Sequence, residues 1–289
     1  MWKVPTFKLL SGHTIPLVGF GSYLIDGERQ TKEVLDKALS AGYRLIDTAA
    51  MYGNEQDIGL ALKELLPKHN LKREDVFITS KLYPSDHGDQ AKNALAESLR
   101  KLQSGYIDLY LIHWPGVYGI SSRSSENAKL RAASWASLVK AKKEGLVRDI
   151  GVSNYTVRHL KELLDNCCGV KPVVNQVEWH PGCHQADLKE FCEREGILLQ
   201  AYMSLGGSGN KSLLGEPFVV KVAEKLGKQP AQVLLRWSVQ QNVAVIPKSR
   251  SKEHMEANIN LDFVIPDEDM VLLGRRKQEK FDWDPNSVK

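Results

Sequence analysis

Short apolar runs of four to six residues recur along the chain. Each is followed by a longer stretch in which apolar residues return every three or four positions. The runs predict strands at 17–20, 43–47, 76–80, 107–113, 147–152, 173–177, 198–202 and 243–247. The stretches between and after them predict helices at 30–40, 55–66, 89–102, 133–143, 156–166, 185–194, 218–226 and 230–240. Several of the runs are apolar on successive residues, as strands covered on both faces are. Eight strands separated by helices predict an α/β fold, the (β/α)8 (TIM) barrel. Two further runs, 7–10 and 14–17, flank Ser11-Gly12-His13 and read as a hairpin that feeds the first barrel strand and can plug the bottom of the barrel. The competing arrangement is a doubly wound dinucleotide-binding sheet, which wants G-x-G-x-x-G after its first strand. Gly19-Phe20-Gly21-Ser22-Tyr23-Leu24 lacks the third glycine. No linker, low-complexity stretch or internal repeat interrupts the pattern, so residues 1–289 are expected to form a single barrel domain.

Composition narrows the partners more than the fold. The chain is 42% apolar and 26% charged with a net charge of +4, and its basic residues are spread out. That excludes a nucleic-acid surface built on a basic block and is compatible with an anionic cofactor. No apolar run approaches a membrane span, and Met1-Trp2-Lys3-Val4-Pro5 lacks the apolar core of a leader. Four Cys, two of them the adjacent Cys167-Cys168, read as free thiols rather than a disulfide framework. The expectation is a cytoplasmic monomer that works on a small molecule and touches neither nucleic acid nor membrane.

Active sites of such barrels lie at the C-terminal ends of the strands, so the residues delivered there are the candidates. They are Asp47 with Tyr52 just beyond, Lys81, His113-Trp114, Ser153-Asn154, Asn175-Gln176, Tyr202, and Lys248-Ser249-Arg250. Each alone has a structural explanation. Asp47 can cap a turn, Lys81 can extend from a strand end, and His113 can be a satisfied structural residue. An acid, an amine, an imidazole and a phenol facing one mouth must pair with one another, because buried polar groups need partners.

Read in order, Asp47-Thr48-Ala49-Ala50-Met51-Tyr52-Gly53-Asn54-Glu55, Thr79-Ser80-Lys81-Leu82, Leu111-Ile112-His113-Trp114-Pro115, Gly151-Val152-Ser153-Asn154 and Ile246-Pro247-Lys248-Ser249 closely resemble the aldo-keto reductases, over a span from Gly12 to Asn258. The resemblance implies a catalytic tetrad of Asp47, Tyr52, Lys81 and His113. Tyr52 would protonate the alkoxide formed when a carbonyl accepts hydride, although a free phenol has a pKa near ~10. Lys81 would make it a better acid, Asp47 would hold Lys81, and His113 would orient and polarise the carbonyl. The hydride donor implied is NADPH, with NADH as the other possibility. Ser153, Asn154 and Gln176 would meet its carboxamide and Tyr202 would stack on its nicotinamide. Ser204 and Leu205 would lie in the pyrophosphate loop. Lys248, Ser249, Arg250 and Ser251 would surround a 2′-phosphate, and Asn258 would reach the adenine. Ser22 and Tyr23 would flank cofactor and pocket.

The chain departs from the family pattern at His254, where Arg is common, at Ala257, where Glu is frequent, and at Met203-Ser204-Leu205-Gly206, where Ser-Pro-Leu-Gly is frequent. The segments that set substrate choice are short, which implies an open pocket lined by Tyr23, Met51, Tyr83, Trp114 and Trp283. That suits small-molecule aldehydes and reactive dicarbonyls better than a steroid or prostaglandin ketone. A regulatory, redox-sensing role on the same fold and a metal-dependent hydrolase are the alternatives from other classes. "LGGSGNKS", 205–212, lacks the glycines of a P-loop. "EWHPGCH", 178–184, offers Glu, Cys and two His but not the spacing of a closed zinc site, so a packing role is expected there.

Overall fold

A computed structural model describes residues 3–207 and 212–289. Residues 208–211, inside "LGGSGNKS", and residues 1–2 of the N-terminal stretch lie outside the described residues. The chain starts with a hairpin of β1 (Thr6–Lys8) and β2 (Thr14–Pro16), paired antiparallel. Then come β3 (Phe20–Gly21), β4 (Leu45–Asp47), β5 (Phe77–Leu82), β6 (Ile107–Ile112), β7 (Val147–Ser153), β8 (Val174–Glu178), β9 (Leu198–Tyr202) and β10 (Ala244–Val245). These eight form one parallel sheet in chain order.

The sheet closes on itself. Val18 bridges Val245 in parallel, Gly19 N donates to Val245 O (2.8 Å), and Val245 N donates to Leu17 O (2.8 Å). Gly21 is required at this seam, since a Cβ there would stand 2.6 Å from Ile246 O. The seam strands β3 and β10 are the shortest of the eight, and their regular pairing starts later or ends earlier than the apolar runs suggest.

Between the strands lie α1 (Glu28–Ala41), α2 (Glu55–Lys68), α3 (Ala91–Leu102), α4 (Glu126–Lys143), α5 (Val157–Asp165), α6 (Ala186–Glu195), α7 (Pro217–Leu226) and α8 (Pro230–Val239). After β10 come α9 (Lys252–Ile259) and α10 (Asp267–Gly274). The helices form as their patterns dictate. In α1, Val34, Leu35, Ala38 and Leu39 share the buried face, and Gly42 at φ 101° closes the helix with its N–H on Leu39 O. Pro217 and Pro230 open α7 and α8 at positions where a missing N–H costs nothing.

Three helices depart from expectation. α4 begins at Glu126, well before residue 133, because its first turns bury polar side chains that an apolar count cannot register. Asn127 Nδ2 donates to Ser121 O (2.8 Å), its Oδ1 accepts from Val117 N (3.0 Å), and Arg131 pairs with Glu162 (2.7 Å). α9 and α10 have no counterpart among the predicted helices. They bury only Met255, Asn258 and Ile259, and Asp269 and Leu273, too few apolar residues to give a period.

The hairpin lies at the N-terminal end of the barrel. Ser11 Oγ (2.9 Å) and His13 Nδ1 (2.8 Å) both meet Asp149 Oδ2 near the start of β7. A cavity of about 360 Å³ opens there, lined by His13, Arg44, Asp108, Arg148 and Asp149 among others. It is at the opposite end from the strand termini that carry the candidate residues.

Candidate active site

Asp47 ends β4, Lys81 is the penultimate residue of β5 and His113 follows β6, three adjacent strands. Parallel pairing carries their side chains to the same mouth. Lys81 Nζ donates to Asp47 Oδ1 (2.6 Å), to Thr48 O (2.9 Å) and to Tyr52 Oη (3.1 Å). A single turn of 3₁₀ helix, Ala50–Tyr52, closed by Gly53 at φ 72°, brings Tyr52 back over Lys81. The His113 ring meets the Tyr52 ring edge to face, with centroids 5.9 Å apart. The sequence-predicted tetrad is thus one contiguous group.

Its electrostatics follow from burial. Lys81 is fully buried, which by itself would lower its pKa, but the Asp47 charge and the bonds to Asp47 and Tyr52 outweigh burial and leave it raised, so the ammonium persists. Burial raises the Tyr52 pKa and the Lys81 charge pulls it down; burial prevails, and the phenol keeps its proton. Burial, with the Lys81 charge adding to it, drives the His113 pKa well below 6.5, so the imidazole is neutral. Among the described residues its buried Nδ1 has no partner. An orphaned lone pair costs less than an orphaned N–H, which places the proton on Nε2.

Support comes from residues that the pattern of strand ends did not single out. Asn54 Oδ1 accepts from Thr48 Oγ1 (2.6 Å), and its Nδ2 donates to Ser22 O (2.9 Å) and Ile25 O (2.8 Å). Asn54 therefore ties the loop after β3 to the loop after β4 rather than capping α2 with its side chain. Glu55 accepts from Ser80 Oγ (2.6 Å) beneath the site. Gln200 on β9 accepts from Gln176 Nε2 (2.7 Å).

The remaining predicted residues are distributed around the mouth. Asn154 at φ 63° donates from Nδ2 to His113 O (3.0 Å) and accepts from Tyr202 Oη (2.7 Å). Ser153 Oγ donates to Gln176 O (2.8 Å), and Gln176 Nε2 donates to Asp47 Oδ2 (2.7 Å). Ser22 is buried, its N–H on Asp47 O, and the Tyr23 ring lies 5.0 Å from that of Tyr52. Met51 is exposed and Tyr83 half-buried. Trp114 stacks on the His113 ring (6.2 Å) and meets Trp283 edge-on (5.2 Å). Ser204 Oγ donates to Ala201 O (3.1 Å), and Leu205 O accepts from Leu213 N (3.2 Å).

Lys248 and Arg250 follow β10 two positions apart, and among the described residues neither meets a carboxylate. Burial and then the Arg250 charge lower the Lys248 pKa. Arg250 Nη2 donates to Leu24 O (2.6 Å). Ser251 caps α9 by accepting from His254 N (3.2 Å) and donates to Glu253 Oε2 (2.6 Å). Asn258 is buried on α9, while the His254 side chain is exposed. Two cations just before the N-terminus of α9, neither meeting a carboxylate among the described residues, fit a bound phosphate.

Residues 18–274 match the model of the Aldo/keto reductase family. The chain belongs to this family. As an aldo-keto reductase it is an oxidoreductase acting on carbonyl and hydroxyl groups. It is similar to a glyoxal reductase of Bacillus subtilis (strain 168), 40% identical over 98% of this chain and 97% of that protein. Among solved structures this aldo-keto reductase is similar to an aldo/keto reductase from Brucella melitensis, with a TM-score of 0.84 and 37% identity over 94% of this chain and 99% of the other. It is also similar to a Bombyx mori aldo-keto reductase in complex with NADP, with a TM-score of 0.85 and 32% identity over 95% and 93% of the two chains.

Proposed function

We propose that this aldo-keto reductase uses NADPH to reduce aldehydes, reactive dicarbonyls and some ketones to alcohols, with Tyr52 as the proton donor. The observation that carries the reading is the position of Lys81 Nζ, within hydrogen-bond distance of both Asp47 and Tyr52 beneath a neutral His113. The cofactor, when bound, supplies the hydride. The chain's own residues do the rest. Nε2–H of His113 donates to the carbonyl oxygen and orients it. Negative charge grows on that oxygen, and Tyr52 Oη gives up its proton to it. The Lys81 ammonium stabilises the tyrosinate left behind, and Asp47 keeps that ammonium charged.

Ser153, Asn154 and Gln176 are assigned to the carboxamide, Tyr202 to the nicotinamide face, and Ser22, Tyr23, Ser204 and Leu205 to the stretch between. Lys248, Ser249, Arg250 and Ser251 are assigned to the 2′-phosphate, with His254 and Asn258 beside the adenine. The free cations favour NADPH over NADH; the Glu253 carboxylate on Ser251 tempers that preference.

Tyr23 (53% exposed), Met51 (52%) and Trp283 (47%) leave the mouth open. An open mouth suits small and varied carbonyls, and the similarity to a glyoxal reductase agrees with dicarbonyls. The test is loss of NADPH absorbance on addition of glyoxal, methylglyoxal or benzaldehyde, with Tyr52→Phe expected to bind NADPH normally and to turn over none of them. Tight NADPH binding by the unaltered chain without turnover of any carbonyl would replace this reading by a regulatory one.

A further inference from the structure

The turn after β8, Glu178 to His184, is occupied by the chain's own C-terminal tail. The Glu178 side chain is fully buried. Its Oε1 accepts from Phe281 N (2.7 Å) and lies 3.1 Å from His180 Nε2, and its Oε2 accepts from Lys280 Nζ (3.0 Å) and Asp282 N (3.0 Å). His180 Nδ1 accepts from Gly182 N (3.1 Å), which leaves Nε2 as the nitrogen that donates to Glu178. The His180 ring stacks on Phe281 (4.9 Å), and Glu279 N donates to Gly182 O (2.7 Å). One acid therefore holds three successive residues of the tail. A buried carboxylate stays charged only when donors surround it, and most of these donors come from the tail.

The residues held in this way stand at the mouth. Lys280 Nζ lies 5.8 Å from the centre of the Tyr202 ring. Trp283, whose backbone N–H donates to Asp282 Oδ1 (2.8 Å), packs its ring edge-on against Trp114, the residue after His113. Contacts thus run without a break from Glu178 through Asp282 and Trp283 to the wall of the carbonyl pocket.

We infer that Glu178 is a positioning residue for substrate selection: by fastening residues 280–282 it sets Trp283 against Trp114 and so fixes the width of the pocket for aromatic carbonyls. Glu178 itself touches no substrate. The kinetic part of this inference rests on the carbonyl-reductase reading; the structural part does not.

The test compares Glu178→Gln, Trp283→Ala and the double variant in the full chain. Glu178→Gln keeps the shape and replaces one acceptor oxygen by a donor that faces the tail N–H groups. The amides of Phe281 and Asp282 should exchange hydrogen about tenfold faster or more, while those of β4 and β5 keep their rates. KM for benzaldehyde should rise about three- to tenfold, the range expected for an aromatic contact. KM for glyoxal and kcat for both substrates should stay within about twofold. Trp283→Ala should give the same KM pattern, and the double variant should be no worse than Trp283→Ala alone. Additive effects, an equal loss of kcat on both substrates, or unchanged exchange at Phe281 and Asp282 would each overturn the inference. Should Glu178→Gln fail to fold, Lys280→Met removes one donor to the same acid and is read by the same measurements. An unaltered chain that reduces neither substrate refutes the reductase reading alone, and amide exchange then decides the role of Glu178.

Discussion

Gln176 Nε2 donates to Asp47 Oδ2 over 2.7 Å, across the barrel from β8 to β4. The acid that holds Lys81 with one oxygen is held by its other oxygen. Asp47 thus has no freedom to turn from the ammonium, and the geometry of the tetrad is set from two sides of the barrel. Gln176→Met should leave that oxygen without a donor in a buried site, at a cost of about 1–3 kcal/mol. Thermal unfolding should show the loss, and kcat should fall as Lys81 loses its fixed partner. An unchanged melting temperature with full activity would contradict this role.

Asp47→Asn removes the charge opposite a fully buried ammonium. Breaking one side of a buried pair costs roughly 3–5 kcal/mol, so the variant should be markedly less stable. It should also favour a neutral Lys81 and lose most of its kcat. Denaturant unfolding and steady-state kinetics on one preparation measure both. A variant as stable as the unaltered chain, with the same kcat, would show that the charge of Asp47 is dispensable.

His113→Ala removes the donor aimed at the carbonyl oxygen. The expected loss in kcat is about 100- to 1,000-fold, the usual cost of one preorganised donor, with NADPH affinity retained. A fall of less than about threefold would move the polarising role elsewhere.

Lys248→Ala together with Arg250→Ala should lower the preference for NADPH over NADH by more than about 100-fold, because charge-assisted bonds to phosphate contribute about 1.5–3 kcal/mol each. Glu253→Gln should raise that preference, since it frees the Ser251 hydroxyl from a carboxylate. Binding titrations with both nucleotides decide. Equal losses for NADPH and NADH would place the 2′-phosphate away from these residues.

Stability should fall on mild acidification. Burial pushes the pKa of His87 and of His159 down to about 4, from the usual 6.5. The folded chain binds these protons more weakly than the unfolded chain, so acid favours unfolding. Their contribution is whole above about pH 6.5 and is lost as pH falls toward about 4. The melting temperature should drop across that window, and less steeply in His159→Gln. A flat melting curve would mean that neither imidazole stays neutral.

The apolar periods of this chain determine alternating parallel strands and helices, because strands covered on both faces are largely apolar and the helices between them are apolar on one face. The missing third glycine after the first strand then favoured the barrel over a doubly wound dinucleotide sheet. The candidate acid, phenol, amine and imidazole were legible too, since in such a barrel the residues at and just beyond the C-terminal ends of the strands face the mouth. The polar start of α4 and the helices α9 and α10 were not legible, because Asn127, Arg131, Asn258 and Asp269 are buried polar residues that an apolar period does not register. Nor was the purpose of Glu178. Its partners Lys280, Phe281 and Asp282 are about a hundred positions away, and a carboxylate carries no mark in sequence of which backbone N–H groups will fold onto it. Residue type and period specify which chemistry each strand end can offer. Only the closed tertiary structure decides which of those groups meet, because hydrogen bonds depend on ångström distances that the order of residues does not contain.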